Sequence, residues 1–234
     1  VNTLNGYIWS NALILLALGA GLFFSFKTRF VQIRLFKEMV RLLFSGASSN
    51  KGISSFQALS VSLSGRVGTG NIAGVAAAIG FGGPGAVFWM WIVAFLGAST
   101  AYIESTLGQI YKEEQDGEYR GGPAYYIEKA RGAKWFAWIF AIAIIVANGI
   151  LLCGVQANSI GNAVELALGG GQTVDTFFGP LSSIKISTAI VVLILLAFIV
   201  FGGVKRIANV TQVIVPFMAL AYIIIALTII GLNI

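Results

Sequence analysis

Ser64-Gly65-Arg66-Val67-Gly68-Thr69-Gly70-Asn71 interrupts a stretch otherwise apolar enough to cross a membrane. Glycine weakens a helix interior and arginine is costly to hold in hydrocarbon, so the octet predicts a broken helix. Irregular backbone at that depth persists only where protein buries it or where it lines a water-filled cavity. Such a break is the usual pointer to the binding site of a secondary transporter. Its two ends carry opposite partial charges. Carbonyls near Ser64 suit a cation held by hard oxygen ligands, and N–H groups near Asn71 suit a carboxylate. In that arrangement Val67 and Gly68 supply carbonyls to a cation such as sodium, Gly70 supplies N–H groups, and Thr69 and Asn71 supply side-chain oxygens. Asn71 also reads as a helix N-cap. Gly70-x-x-x-Gly74 also reads as a close-packing pattern between helices. Gly68-x-Gly70-x-x-x-Gly74 is not a nucleotide fingerprint, because no strand precedes it and the spacing is wrong.

Two charges and one polar stripe extend the candidate site. Arg66 lies about 18 Å into its span at 1.5 Å per residue, near the midplane, where a charge must be paired or wet. Glu104 is the acidic residue within the membrane, so an Arg66–Glu104 ion pair is expected as an inner latch. Direct contact of Arg66 with a substrate carboxylate is the alternative. In the long span 135–166, Asn148, Ser159 and Asn162 cover roughly 60° of the circumference at 100° per residue, with Gln156 just beyond. Such a stripe faces a cavity or the bundle interior, either to bind a ligand or to join helices by hydrogen bonds.

The elements that must position these residues are membrane helices. The chain of 234 residues is 57% hydrophobic and 10% charged, with a mean hydropathy of +0.87. Apolar runs of about 20 residues match a hydrocarbon core of roughly 30 Å. They give six spans: 7–26, 54–80 (broken), 86–111, 135–166, 184–202 and 210–232. With the N-terminus outside, the inner segments 27–53, 112–134 and 203–209 hold thirteen of the fifteen basic residues. The positive-inside rule then places both termini outside. The net charge of +6 is thus a topology signal and not a nucleic-acid footprint. Trp9, Trp89, Trp91, Trp135 and Trp138 fall near span ends, where tryptophan concentrates. Residues 30–44 read as a helix lying on the membrane surface or as a plain connecting helix, 47–52 as a loop, and Gly80–Gly85 as a turn. The first apolar run reads as a retained helix and not a signal peptide. Cys153, the one cysteine, reads as a small buried hydrophobe. The chain has no histidine, paired carboxylates or nucleophile–base arrangement, so an enzyme is not expected.

SGRVGTGNIAGVA, GGPGAVFWMW and YIESTL, with FVQIRLFKE, GGPAYYIEKA, GGVKRI and IVPFMA, resemble the sodium:alanine symporter family, the alanine/glycine:cation symporters, over essentially the whole chain. The resemblance implies an all-α membrane protein of a leucine-transporter-type fold, built of two inverted five-helix repeats. Residues 1–53 would then be an extra N-terminal membrane helix with a cytoplasmic interfacial helix, and 54–234 the first repeat. It implies sodium-coupled uptake of alanine, glycine or a related small neutral amino acid across a bacterial or archaeal plasma membrane. Thr69, Gly70 and Asn71 would touch substrate and sodium, with Gln156 reaching the substrate. The second repeat is not present, so the chain is expected to be an N-terminal fragment. The competing expectation is a non-transporting membrane module, or a half-transporter that needs a second copy or partner.

Overall fold

The computed structural model of the protein describes residues 3, 6, 8–45, 52–115, 117–176 and 179–232. Helix α1 (Asn11–Lys27) leads into the short α2 (Val31–Arg34) and α3 (Phe36–Phe44). Helix α4 (Ser55–Ser64), a 3-10 turn (Thr69–Asn71) and α5 (Ala73–Gly82) follow. Next come α6 (Gly85–Ile110), the strands β1 (Glu113–Gln115) and β2 (Glu118–Arg120), and α7 (Pro123–Arg131). Helix α8 (Lys134–Leu168) contains a π-helical segment at Ile145–Leu152. Strands β3 (Thr173–Thr176) and β4 (Gly179–Ser182) precede α9 (Ser183–Val200) and α10 (Gly203–Leu232).

Helices α6, α8, α9 and α10 are long and apolar enough to cross a membrane, while α1 and Thr69–Gly82 are shorter apolar helices. The chain is therefore a mostly helical, multi-pass membrane protein. It differs from the expected outline in three places. Helix α1 starts at Asn11, where Ser10 is extended (φ −73°, ψ 163°), and not at residue 7. Its 17 residues span about 25 Å at 1.5 Å per residue. Helix α10 absorbs 203–209, because Phe201 and Gly202, with Gly203 at φ 77°, make the turn from α9. Two antiparallel hairpins, β1–β2 and β3–β4, fill the connections after α6 and α8. Of the expected loop at 47–52, residues 47–51 lie outside the described residues. The turn at Gly80–Gly85 is present, with Gly83 at φ 72°.

The chain divides into two units, Val1–Ser45 with Ala73–Ala141, and Gly46–Ile72 with Ile142–Ile234. In the first, α1 packs on α6. A Cβ at Gly21 would lie 2.8 Å from Leu96 Cβ, so the two backbones approach where a side chain is missing. Ser99 Oγ donates to the Gly21 carbonyl (2.9 Å), Ser25 Oγ to Ser99 Oγ (3.1 Å), and Gln32 Nε2 to Ser25 Oγ (3.0 Å). Small residues with interhelical hydrogen bonds are how helices associate in lipid, where apolar burial gives no preference for a neighbouring helix over an acyl chain. Lys129 Nζ bridges Glu113 (2.8 Å) and donates to the Tyr111 carbonyl (3.1 Å), joining α7, the hairpin and the end of α6. Its ammonium holds the Glu113 carboxyl below the ordinary carboxylate range.

In the second unit α10 packs along α4, and Gln57 Nε2 donates to Asn209 Oδ1 (2.7 Å). The same Gln57 closes a capping box with Ser54, fixing the start of α4. Pro216 lies inside α10 and leaves the Gln212 carbonyl without its helical donor. Helix α9 packs on the Cys153–Leu168 part of α8, with Lys185 bridging Glu165 at 3.1 Å. Helix α4 thus enters the break from a position held at both its cap and its flank.

Candidate functional site

Helix α4 ends by tightening. The Leu63 carbonyl accepts from both Arg66 N–H (3.0 Å) and Val67 N–H (2.9 Å), as final helical turns do when the i→i+4 ladder runs out. Gly68 is then extended (φ −157°, ψ −166°), and the chain leaves the helix. Gly68 and Asn71 close a reciprocal pair: Gly68 N–H donates to Asn71 Oδ1 (3.0 Å), and Asn71 N–H donates to the Gly68 carbonyl (3.0 Å). Asn71 is therefore not the N-cap of a half-helix. It reaches back from the third residue of the 3-10 turn to satisfy the donor that the break exposes. A carbonyl oxygen has two lone pairs, so Asn71 Oδ1 retains one acceptor site.

Gln156, on the Cys153–Leu168 part of α8, completes the group. Its Oε1 accepts from Thr69 N–H at 3.2 Å. A Cβ at Gly68 would lie 2.6 Å from Gln156 Nε2, so the missing side chain at 68 is what admits the amide. Gly68, Thr69 and Gln156 are half-buried, and Val67, Gly70 and Asn71 are exposed. The arrangement gathers uncharged oxygens and amide donors from two elements around non-helical backbone.

Other expected residues have different neighbours. Arg66 is exposed and, from the turn after α4, donates to Ser62 Oγ on that helix. Glu104 belongs to the first unit. Its charge adds to burial in pushing the Tyr126 phenol, on α7, above its ordinary range, burial being the larger cause. The stripe computed at 100° per residue does not run through α8. The π-helical segment Ile145–Leu152 takes an extra residue per turn and shifts Asn148 out of phase with Ser159 and Asn162. The Asn148 carbonyl accepts from Cys153 Sγ (3.2 Å), and Cys153 is exposed, not buried. Ser159 Oγ bonds back to the Val155 carbonyl (3.0 Å). The π segment was not expected.

A family model described as the sodium:alanine symporter family matches residues 1–234. YrbD of Bacillus subtilis, provisionally named a sodium/proton-dependent alanine carrier, is 56% identical over all of this chain and 46% of its own length. The amino-acid carrier AlsT of the same organism is 46% identical over all of this chain and 47% of its own. The sodium/alanine symporter AgcS of Methanococcus maripaludis is 38% identical, again over all of this chain and over 51% of its own length. The chain spans about half the length of these relatives. It belongs to the sodium:alanine symporter family.

Proposed function

We propose that these residues carry one half of the site for sodium-coupled symport of a small neutral amino acid, alanine or glycine, across a plasma membrane. The observation that carries the reading is the break between α4 and the 3-10 turn, with Thr69 N–H held by Gln156. Val67 and Gly68 carbonyls and the second lone pair of Asn71 Oδ1 suit sodium, which takes hard oxygen ligands. Thr69, Gly70 and Gln156 Nε2, with Asn71, suit the carboxylate and ammonium of an amino acid. The relatives' names support alanine as cargo, and they name both sodium and proton as coupling ions. The six-span, leucine-transporter-type arrangement, the exterior N-terminus and the Arg66–Glu104 latch rest on the sequence and its resemblance. Counterflow of labelled alanine by a full-length protein bearing these residues, in sodium-containing and sodium-free buffer, tests the reading. Exchange that needs sodium supports it, and exchange indifferent to sodium removes the cation role.

A further inference from the structure

Where α1 ends, the first unit holds a cavity of about 260 Å³ lined by Lys27, Thr28, Arg29, Val31, Arg34 and Tyr102. Three of the six lining residues are cations and none is a carboxylate. The Thr28 hydroxyl is occupied by the Phe24 carbonyl (2.7 Å), and one Arg34 N–H meets the Thr28 carbonyl (3.4 Å). A guanidinium has five N–H donors, so Arg34 keeps most of its capacity for a ligand. Among the described residues neither Lys27 nor Arg29 has an acidic partner. Concentrated positive charge without internal compensation, beside donors from a phenol and a guanidinium, is a site for an anion.

The backbone is shaped for this cavity at some cost. Arg29 (φ 54°) and Phe30 (φ 51°) are successive residues with side chains in the left-handed region, the only two such residues described. That conformation is unfavourable for both and persists only when its surroundings require it. It reverses the chain so that Val31 is buried, with 3% exposure, against the same cavity that Lys27 lines from the end of α1.

The surroundings select the kind of anion. Phe23, Phe26 and Ile33, on the helices α1 and α2 that bound the cavity, are each at least 60% exposed. A soluble phosphate has no use for that apolar surface, whereas a phospholipid would lay its acyl chains over it. Basic pockets at the ends of membrane helices take anionic headgroups in this way. We propose that this cavity binds the phosphate of an anionic phospholipid such as phosphatidylglycerol, with Lys27, Arg29 and Arg34 as counter-charges and Tyr102 as a hydrogen-bond donor. The proposal is independent of the transport site, which lies in the other unit.

Native mass spectrometry of the full-length protein tests it, with dioleoylphosphatidylglycerol, dioleoylphosphatidylcholine and inorganic phosphate each added to delipidated samples. Phosphatidylglycerol is expected to be retained and phosphatidylcholine not. Each cation removed should weaken binding about fivefold, so Lys27→Gln/Arg29→Gln/Arg34→Gln should lose roughly a hundredfold. Lys27→Arg/Arg29→Lys/Arg34→Lys should retain it, and Arg131→Gln, outside the cavity, should change nothing. Should the triple variant not fold, Arg34→Gln alone is to show the fivefold loss. Equal retention of both lipids, or unaltered phosphatidylglycerol binding in the neutralised variants, would overturn the proposal. Displacement of phosphatidylglycerol by equimolar inorganic phosphate would overturn the lipid assignment and leave a soluble-anion site.

Discussion

A Cβ added at Gly68 would come within 2.6 Å of Gln156 Nε2, so Gly68→Ala must push the amide aside and strip the Thr69 N–H of its acceptor. Gln156→Ala removes the same acceptor directly. Each is expected to weaken amino-acid binding by the full-length protein by about two- to tenfold, the range of one hydrogen bond. Because both act on one contact, the double variant should bind no worse than the poorer single. Equilibrium binding of labelled alanine checks this, and losses that multiply would mean that the two residues act separately. The break was legible in the sequence, since glycine, arginine and asparagine each disfavour a helix in hydrocarbon. The Gln156–Thr69 bond was not, because it joins residues 87 apart and no local spacing encodes it. The resemblance points Gln156 at the substrate, and its Oε1 holds the backbone of the break.

At the scale of elements, the α1–α6 contact depends on a residue without a side chain. Gly21→Ala places a methyl 2.8 Å from Leu96 Cβ, which must drive the helices apart. Overpacking of this kind costs about 1–3 kcal/mol, whereas Ser99→Ala should cost only about 0.6 kcal/mol, the mean for a membrane interhelical hydrogen bond. Thermal unfolding in detergent distinguishes the two, and Gly21→Ala as mild as Ser99→Ala would show that the interface is loose. The β1–β2 hairpin carries a pH dependence. The Glu113 carboxyl is held below its ordinary value, first by the hydrogen bond and then by the charge of Lys129. The bridge therefore acts fully above about pH 4.3 and is lost as pH falls through the lower folded value. Carboxyl NMR should show the Glu113 midpoint rising in Lys129→Met, and an unmoved midpoint would contradict the bridge. Helix existence was legible from apolar runs of sufficient length. The hairpins and the π segment were not, because three- and four-residue strands carry no measurable period and a single wide turn hides inside an apolar run.

At the scale of the molecule, thirteen of fifteen basic residues fall on one side of the expected span order, which predicts an exterior N-terminus. In a Cys153→Ser background, a cysteine at Thr3 should react with an impermeant maleimide added outside intact cells, and one at Arg131 should not. The reverse pattern would invert the topology. Charge placement made this reading accessible from sequence. The division into two units that interleave along the chain was not, since it depends on which helix faces meet, as α4 with α10 and α1 with α6. The break between α4 and the 3-10 turn is the proposed seat of the chemistry, and removing one oxygen from it is the sharpest probe. Asn71→Ala deletes the Oδ1 that accepts from Gly68 N–H and would also face a cation. The decisive measurement is sodium-gradient-driven uptake of labelled alanine into liposomes containing the full-length protein, wild type against Asn71→Ala, across a sodium titration. Uptake is expected to require sodium, with a half-saturating sodium concentration raised roughly tenfold in the variant, as a ligand leaves a site of few ligands. Uptake independent of sodium, or an identical sodium dependence in both proteins, would rule out a cation at the break.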